Sequence, residues 1–472
     1  GNDFPYQDKS TWYLENSTPV TDIKDGDVGD GGSRFYGMSY FGRLSYNFKN
    51  KYILYGTYRA DGTNKYQEKF GYFPSVGLGW VVSQEGFFKN NVVDYLKLRG
   101  SWGVLGNDKV PFSDGSNTTS LVTTSINDQL VTGTVSSNTF DFLRWERVAE
   151  TNVGLSAFAF DQKLSIEADY YVRKTNDAQI RITAPLTGAT FRRSAGVIQN
   201  SGVELGLRWS ESLTENFRYA IGGNFSTLKN KVISLSGQEY IDGGTAEFRQ
   251  RSIVGQSLLA FYGWEVAGVY QNQAEIEADP IAKANKLEPG DFKYVDRNGD
   301  KVIDDLDRGI IGSFLPSFTY GGDISVGYKA IDLSVNFYGQ GGNQILNRNR
   351  GQVIFTNDQN IDADLVDNRW HGEGTSDSYT SAKGRRKGWN QKMSTFFVED
   401  GDFFRIQNVT LSYTIKKGKL FNGLPEIRIN ATAERPLTLF DYNGFSPEVQ
   451  NGIDNSTHPI PAIYTMGLNI KF

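Results

Sequence analysis

The chain has 472 residues, 14% of them aromatic, with 52 Gly, no Cys and a formal net charge of −5. Charge spread without long blocks of one sign leaves no electrostatic footprint for nucleic acid, and the absence of Cys excludes disulfides, zinc thiolate sites and thiol catalysis together. The two histidines, His371 and His458, stand far apart without local partners, which argues against an imidazole metal site or a catalytic triad.

No run approaches the roughly 18 apolar residues of a membrane-spanning helix. The 25 Tyr and 31 Phe, together with the glycines, favour strands and turns over helices. A transmembrane barrel fits such a composition, because its lumen and loops are polar while its aromatics are many.

In chain order, strands are predicted near residues 35–48, 51–62, 72–83, 94–105, 145–160, 163–176, 197–210, 216–229, 317–329, 330–341, 402–415, 425–435 and 460–472. Their apolar side chains recur with a period of two. Leu164, Ile166, Ala168, Tyr170 and Val172 oppose Lys163, Ser165, Glu167, Asp169, Tyr171 and Arg173; Val203, Leu205, Leu207 and Trp209 oppose Glu204, Gly206, Arg208 and Ser210. Phe318, Tyr320, Ile324, Val326 and Tyr328, then Ile331, Leu333, Val335 and Phe337, repeat the pattern, and the chain ends on Tyr464, Met466, Leu468 and Ile470 before Phe472. Period two marks a strand with one dry and one wet face. So many strands of the roughly 9 to 11 residues that cross a bilayer point to an all-β, transmembrane antiparallel β-barrel.

Connections alternate in length. Short turns are expected at Lys49–Asn50, Asp161–Gln162, around Thr214–Glu215 and at Lys329–Ala330, and long connections at 106–144, 177–196, 230–316, 342–401 and 436–459. Outer-membrane barrels have this asymmetry, with short periplasmic turns and long external loops. With a periplasmic C-terminus, counting back through thirteen strands makes the first strand run inward, which places residues 1–34 outside the cell. An odd count leaves an open edge that lipid cannot satisfy. Residues 1–34 are therefore expected to be an external loop segment, and 35–472 the C-terminal part of a larger barrel.

The strongest local motif is DRNGDKVIDDLD, residues 296–307. Asp296, Asn298, Asp300, the carbonyl of Val302 and Asp307 fall at positions 1, 3, 5, 7 and 12 of a calcium loop, with Ile303 at position 8. Lys301 stands where glycine normally permits the sharp turn, and position 12 is Asp in place of Glu. A calcium ion bound there would staple an external loop. The acidic run Asp22, Asp25, Asp27, Asp30 reads as a flexible loop, and the basic cluster Lys383, Arg385, Arg386, Lys387 with Trp389 as a solvated one. Arg59, Asp61, Glu167, Arg173, Glu204 and Arg208 are expected on the lumen face, pairing with one another or holding a plug. No nucleophile elbow, phosphate loop, dinucleotide fingerprint or zinc motif is present, so nothing supports an enzyme.

Successive blocks resemble SusC/RagA-type TonB-dependent outer-membrane transporters: YFGRLSYNFKNKYILYGTYRADGTNKYQEKFGYFPSVGLGWVVSQEGFFKN, LKLRGSWGVLGND, LRWERVAETNVGLSAFAFDQKLSIEADYYVRKTND, AGVIQNSGVELGLRW, VDRNGDKVIDDLDRGIIGSFLPSFTYGG and VEDGDFFRIQNVTLSYTI. They stand in the family's order along nearly the whole chain. The resemblance implies a barrel of about 22 strands, of which about thirteen are here, in the outer membrane of a Gram-negative bacterium. It also implies a plug and a TonB box on the part not present, coupling to the TonB system, contact with outer-membrane lipid, and a SusD-like surface lipoprotein. The closing aromatic, Phe472, resembles the family's assembly signal. In the next-to-last strand, Glu434-Arg435-Pro436 departs from the family pattern. Two functions are compatible: an importer of oligosaccharides or peptides, or a barrel serving as a structural or assembly subunit.

Overall fold

A computed structural model describes residues 36–471, except 65, 67, 109–116, 127–128, 139–143, 184–189, 246–247, 351–362, 385–386, 418–424 and 456. The expected external segment 1–34, with Asp22, Asp25, Asp27 and Asp30, and the terminal Phe472 lie outside the described residues.

Thirteen strands follow one another in a continuous antiparallel sheet: β1 (Gly37–Phe48), β2 (Tyr52–Thr63), β3 (Phe70–Val81), β4 (Val93–Asn107), β5 (Glu146–Ala159), β6 (Leu164–Thr183), β7 (Thr190–Thr214), β8 (Phe217–Thr227), β9 (Phe318–Tyr328), β10 (Ile331–Gly341), β11 (Phe403–Ile415), β12 (Glu426–Phe440) and β13 (Ile463–Lys471). A further strand, Lys229–Leu235, lies along the long β7 off this path. Each strand pairs with its neighbours in sequence order, and within the described residues β1 and β13 have one partner each.

Four corrections to the expected boundaries have local causes. The connection expected at 177–196 is largely ladder, because β6 and β7 stay paired out to Thr183 and Thr190. The turn expected at Thr214–Glu215 falls at Glu215–Asn216, since Phe217 pairs with Thr214. The last strand begins at Ile463 rather than 460. Finally, β12 does not stop at Arg435: the register shifts from Asn408↔Glu434 to Ile406↔Leu437, so Arg435 and Pro436 sit in a bulge. Arg435 takes a φ of 51° there, and a bulge is where a sheet accepts a proline that has no N–H to donate.

Tight turns close one end of the sheet. Lys49 and Asn50 have φ of 54° and 55°, and Lys51 N donates to Phe48 O at 3.0 Å. Asp161 and Gln162 repeat that geometry between Phe160 and Lys163. Positive φ at both central residues gives the primed turn whose twist matches the strands it joins. At this same end the β3–β4 connection is fastened by Glu85. It accepts from Tyr52 Oη at 2.7 Å and Trp80 Nε1 at 3.2 Å and pairs with Lys51 Nζ at 3.0 Å. The Tyr52 hydrogen bond, with those from Lys51 and Trp80, pulls the Glu85 carboxyl down to about 2.

The register stitches the apolar face of every strand to that of the next. Three such rows are Leu54↔Leu78 across β2 and β3, Leu155↔Ala168↔Leu205 across β5 to β7, and Ile221↔Ile324↔Val335↔Val409↔Ala433↔Tyr464 across β8 to β13. These side chains face away from the protein: Leu78 is 62% exposed, Val153 59%, and Met466 84%. A contiguous apolar face of this extent on a soluble protein would be an aggregation liability. Aromatics crowd its short-turn edge, where Phe48, Tyr52, Trp80, Phe87, Phe160 and Tyr328 are exposed.

The long connections at the opposite end fold together. A four-stranded sheet (Tyr240–Gly244, Arg249–Ile253, Ala260–Gly263, Gly309–Gly312) stands beside a second small sheet in which Gln344–Asn347 pairs with Val398–Asp400 and with Ile453–Asp454. Phe248, Phe261, Trp264, Phe292, Leu346, Phe396 and Phe397 form its core, against which Ile453 packs. Described residues of the three connections, between β8 and β9, β10 and β11, and β12 and β13, therefore meet in one core, a dome. Tyr442 Oη donating to Asp454 at 2.6 Å and Arg405 Nη1 pairing with Glu448 at 2.7 Å fasten the third connection and the wall to it.

Candidate functional site

The face of the sheet opposite the apolar band is charged and cross-paired. The expected lumen residues meet partners there: Arg59 pairs with Asp61 at 2.6 Å, Arg173 with Glu150 at 2.8 Å, Glu167 with Arg99 at 2.7 Å and Arg208 with Asp323 at 2.9 Å. Glu204 lies level with Asp169 on the same face. Arg99, Asp323, Arg218, Asp332 and Arg428 escape a strand-by-strand reading, because their partners come from strands two or more away.

One device recurs three times. Arg99, Gly154 and Asp169 stand in register on β4, β5 and β6; Arg208, Gly222 and Asp323 on β7, β8 and β9; Arg218, Gly327 and Asp332 on β8, β9 and β10. In each, the arginine reaches across the glycine to the aspartate one strand further on. A Cβ on Gly222 would lie 2.5 Å from Asp323 Oδ1 and 3.0 Å from Arg208 Nη1, and one on Gly327 would lie 2.7 Å from Arg218 Nε. The missing side chain is thus the passage for the ion pair. Arg428 adds a second cation to Asp332 at 3.5 Å.

Two recesses open on this face. One, of about 340 Å³, is lined by Ser210, Arg218, Ser325, Gly327, Asp332 and Ser334 near the short turns. The other, of about 530 Å³, lies at the dome end between Arg59, Asp61, Leu105, Asp108, Phe73 and Trp145. Its back wall is an aromatic cluster in which Trp145 meets Tyr66 and Phe73 edge-on at 5.3 and 5.4 Å. Burial, with Asp108 and Glu146 nearby, pushes the Tyr66 hydroxyl up to about 12.

The twelve-residue loop 296–307 lies in the dome. Lys301 adopts φ 65° and Gly299 φ 76°, so a lysine supplies the left-handed turn that glycine normally supplies at this position. Asp296 accepts from Gly299 N and Lys301 N at 2.8 and 2.9 Å, Asn298 Oδ1 from Asp300 N at 3.0 Å, and Asp300 Oδ1 from Val302 N at 2.8 Å. Asp307 is fully buried and accepts from Arg297 N at 2.8 Å and Asp304 N at 2.9 Å. Among the described residues no group of three or more His, Asp or Glu side chains is placed to hold a metal ion.

The loop is gripped from outside by groups that the motif does not contain. Trp264 Nε1 donates to Asp304 O at 2.8 Å, and Lys392 Nζ donates to Ile303 O at 3.1 Å from between the rings of Trp264 and Trp389, each 4.8 Å away. Burial and the neighbouring Arg308 hold Lys392 below the ordinary lysine range.

The basic cluster is solvated only in part: Lys383 is exposed, while Lys387 and Trp389 are held against the dome. Lys383 and Lys387 bind Glu288 at 2.8 and 3.0 Å, Lys387 also binds the buried Asp291 at 2.8 Å, and Trp389 Nε1 donates to Phe292 O at 2.8 Å. Arg385 and Arg386 lie outside the described residues.

A sheet with one continuous exposed apolar face, a cross-paired charged face, tight turns at one end and a folded dome at the other is the wall of an outer-membrane β-barrel. Residues 1–343 match the model of the family described as TonB dependent receptor-like, beta-barrel, and the chain belongs to that family. It is 30% identical to TonB-dependent receptor P26 of Formosa agariphila, over 97% of this chain and 48% of that protein. It is 26% identical to TonB-dependent receptor SusC of Bacteroides thetaiotaomicron, over 92% of this chain and 44% of that one. The solved structure of the RagAB peptide transporter superposes with a TM-score of 0.77 at 21% identity, covering 93% of this chain and 48% of that chain. The chain spans about half the length of the curated relatives it matches. The resemblance to SusC/RagA-type transporters holds, and with it the outer membrane of a Gram-negative bacterium as location and a family of non-enzymatic transporters.

Proposed function

We propose that this chain forms part of the wall and the outer dome of an energised importer for oligosaccharides or peptides. The short turns then face the periplasm and the dome faces outward, beneath a SusD-like surface lipoprotein. Further strands close the sheet at β1 and β13, where backbone groups in lipid need partners, and a plug and TonB box elsewhere in the same protein couple it to the TonB system. The observation that carries the reading is the charged, recessed wall behind a lipid-facing band in a chain of the TonB-receptor family.

Cells producing the full-length protein test it directly. Labelled oligosaccharides and peptides are expected to enter in a manner that disappears when TonB is deleted. Identical uptake with and without TonB, alongside intact binding of partner proteins, would instead make the barrel a structural or assembly subunit.

Calcium in the loop 296–307 is the second element of the proposal. Asp296, Asn298, Asp300, the Val302 carbonyl and Asp307 would hold it, and the bound ion would tie the loop to the dome. Adding calcium to chelator-treated protein is expected to raise the dome's melting temperature, and Asp300→Ala to abolish that rise. A Lys301→Gly variant should keep that rise from a higher starting melting temperature, since relief of a left-handed lysine, about 1 kcal/mol, acts with and without calcium. An unchanged melting temperature in millimolar calcium would remove the metal from this loop.

A further inference from the structure

Two of the tight turns carry lysine at a backbone conformation that suits glycine or asparagine. Lys49, between β1 and β2, and Lys329, between β9 and β10, both have φ of 54°. Side chains with a Cβ rarely adopt that region, and an outlier held by the surrounding structure is a reason to look for function.

In both turns the preceding residue is an exposed aromatic on the lipid-facing band, Phe48 or Tyr328. In both, the lysine Nζ returns over that ring, 5.2 Å from its centroid. The left-handed turn is what sends the side chain back over the band. Lys51 and Lys163, at the same end, are neutralised by Glu85 at 3.0 Å and Glu211 at 2.7 Å. No ion pair engages Lys49 or Lys329 among the described residues. Two exposed ammonium groups therefore stand at the border between an apolar band and water, each above an aromatic ring. A bilayer puts phosphate groups at that depth, and aromatic rings settle there beside them.

We propose that Lys49 and Lys329 each bind the phosphate of an anionic glycerophospholipid in the leaflet at the short-turn rim, with Phe48 and Tyr328 packed against its glycerol and upper acyl chain. The two sites lie on well-separated hairpins and act independently. The inference rests on the lipid-facing band and does not depend on what the barrel transports.

The test uses full-length protein in vesicles of phosphatidylcholine alone or of phosphatidylcholine with phosphatidylglycerol. The variant is Lys49→Asn with Lys329→Asn, because asparagine suits the left-handed turn and should leave the hairpins intact. Wild-type protein released from the mixed vesicles is expected to retain phosphatidylglycerol over phosphatidylcholine by about fivefold per lysine, the selectivity of one basic residue near an anionic surface. Native mass spectrometry reads that ratio. The double variant should lose the enrichment while matching wild type in phosphatidylcholine, and Lys49→Arg with Lys329→Arg should keep it. Equal phosphatidylglycerol retention by wild type and the asparagine variant would overturn the proposal. So would a loss of stability of the same size in both kinds of vesicle, which would reduce each lysine to a brace for its own aromatic ring.

Discussion

Val153→Arg is expected to destabilise the membrane-inserted protein by about 2–4 kcal/mol, the cost of an arginine on the lipid face near the bilayer midplane. Val153 lies midway along β5, 59% exposed, between Gly100 on β4 and the exposed Tyr170 on β6. On a water-facing sheet the same change at so open a position would stay within about 0.5 kcal/mol. The two solvents therefore give different answers for one substitution. Asn152, the preceding residue, points to the charged face between Ser101 and Tyr171, so Asn152→Lys should stay near the smaller figure. Equilibrium urea unfolding of the full-length protein in lipid vesicles measures both. Val153→Arg unfolding together with wild type would place the apolar band in water and remove the barrel-wall assignment.

Phe397→Ala should open the dome while sparing the wall. Phe397 is fully buried and meets Phe248 and Phe396 edge-on at 6.1 and 5.3 Å, and truncating a phenylalanine in such a site costs about 3–5 kcal/mol. That loss falls on a core assembled from connections far apart in sequence, with Leu346 from one side and Phe261 from another. Hydrogen exchange on the full-length protein is the readout. Amides of Ala260–Gly263 and Gln344–Asn347 should lose protection, and those of β4 to β6 should keep it. Loss of protection in both regions would mean that dome and wall unfold as one unit. Unchanged protection in the dome would mean that its core does not depend on Phe397.

The wall was readable from the chain because a strand's side chains alternate with a period of two whatever it pairs with. Every apolar face expected for the segments around Leu164, Val203, Phe318, Ile331 and Tyr464 is the outward face of the sheet. Thirteen expected strands correspond to thirteen strands along the sheet. Where the reading slipped, a local signal misled it. The strand expected to end at 435 runs on through a bulge at Pro436, and the connection expected at 177–196 is ladder out to Thr183 and again from Thr190.

The site was less legible, because ion pairs across a sheet depend on register, which no single strand contains. Arg208 is visibly a polar-face residue, yet its partner Asp323 is 115 positions away and reaches it only because Gly222 lies between them. The dome had no periodic signal at all. Its short strands and single-turn helices are held by Phe261, Phe292 and Phe397 burying one another, and such contacts are set by how the three connections return to the same place.

Alternation and turn chemistry are local properties, so the amino-acid sequence by itself determined the strands, their faces and the end that carries the tight turns. Which arginine meets which aspartate, that Lys301 can stand in for glycine, that Lys392 and Trp264 grip the loop, and that Lys49 and Lys329 turn back over Phe48 and Tyr328 were decided by the tertiary structure. These depend on register and on side chains brought together from distant segments, and only the folded sheet and dome bring them within a few ångströms of one another.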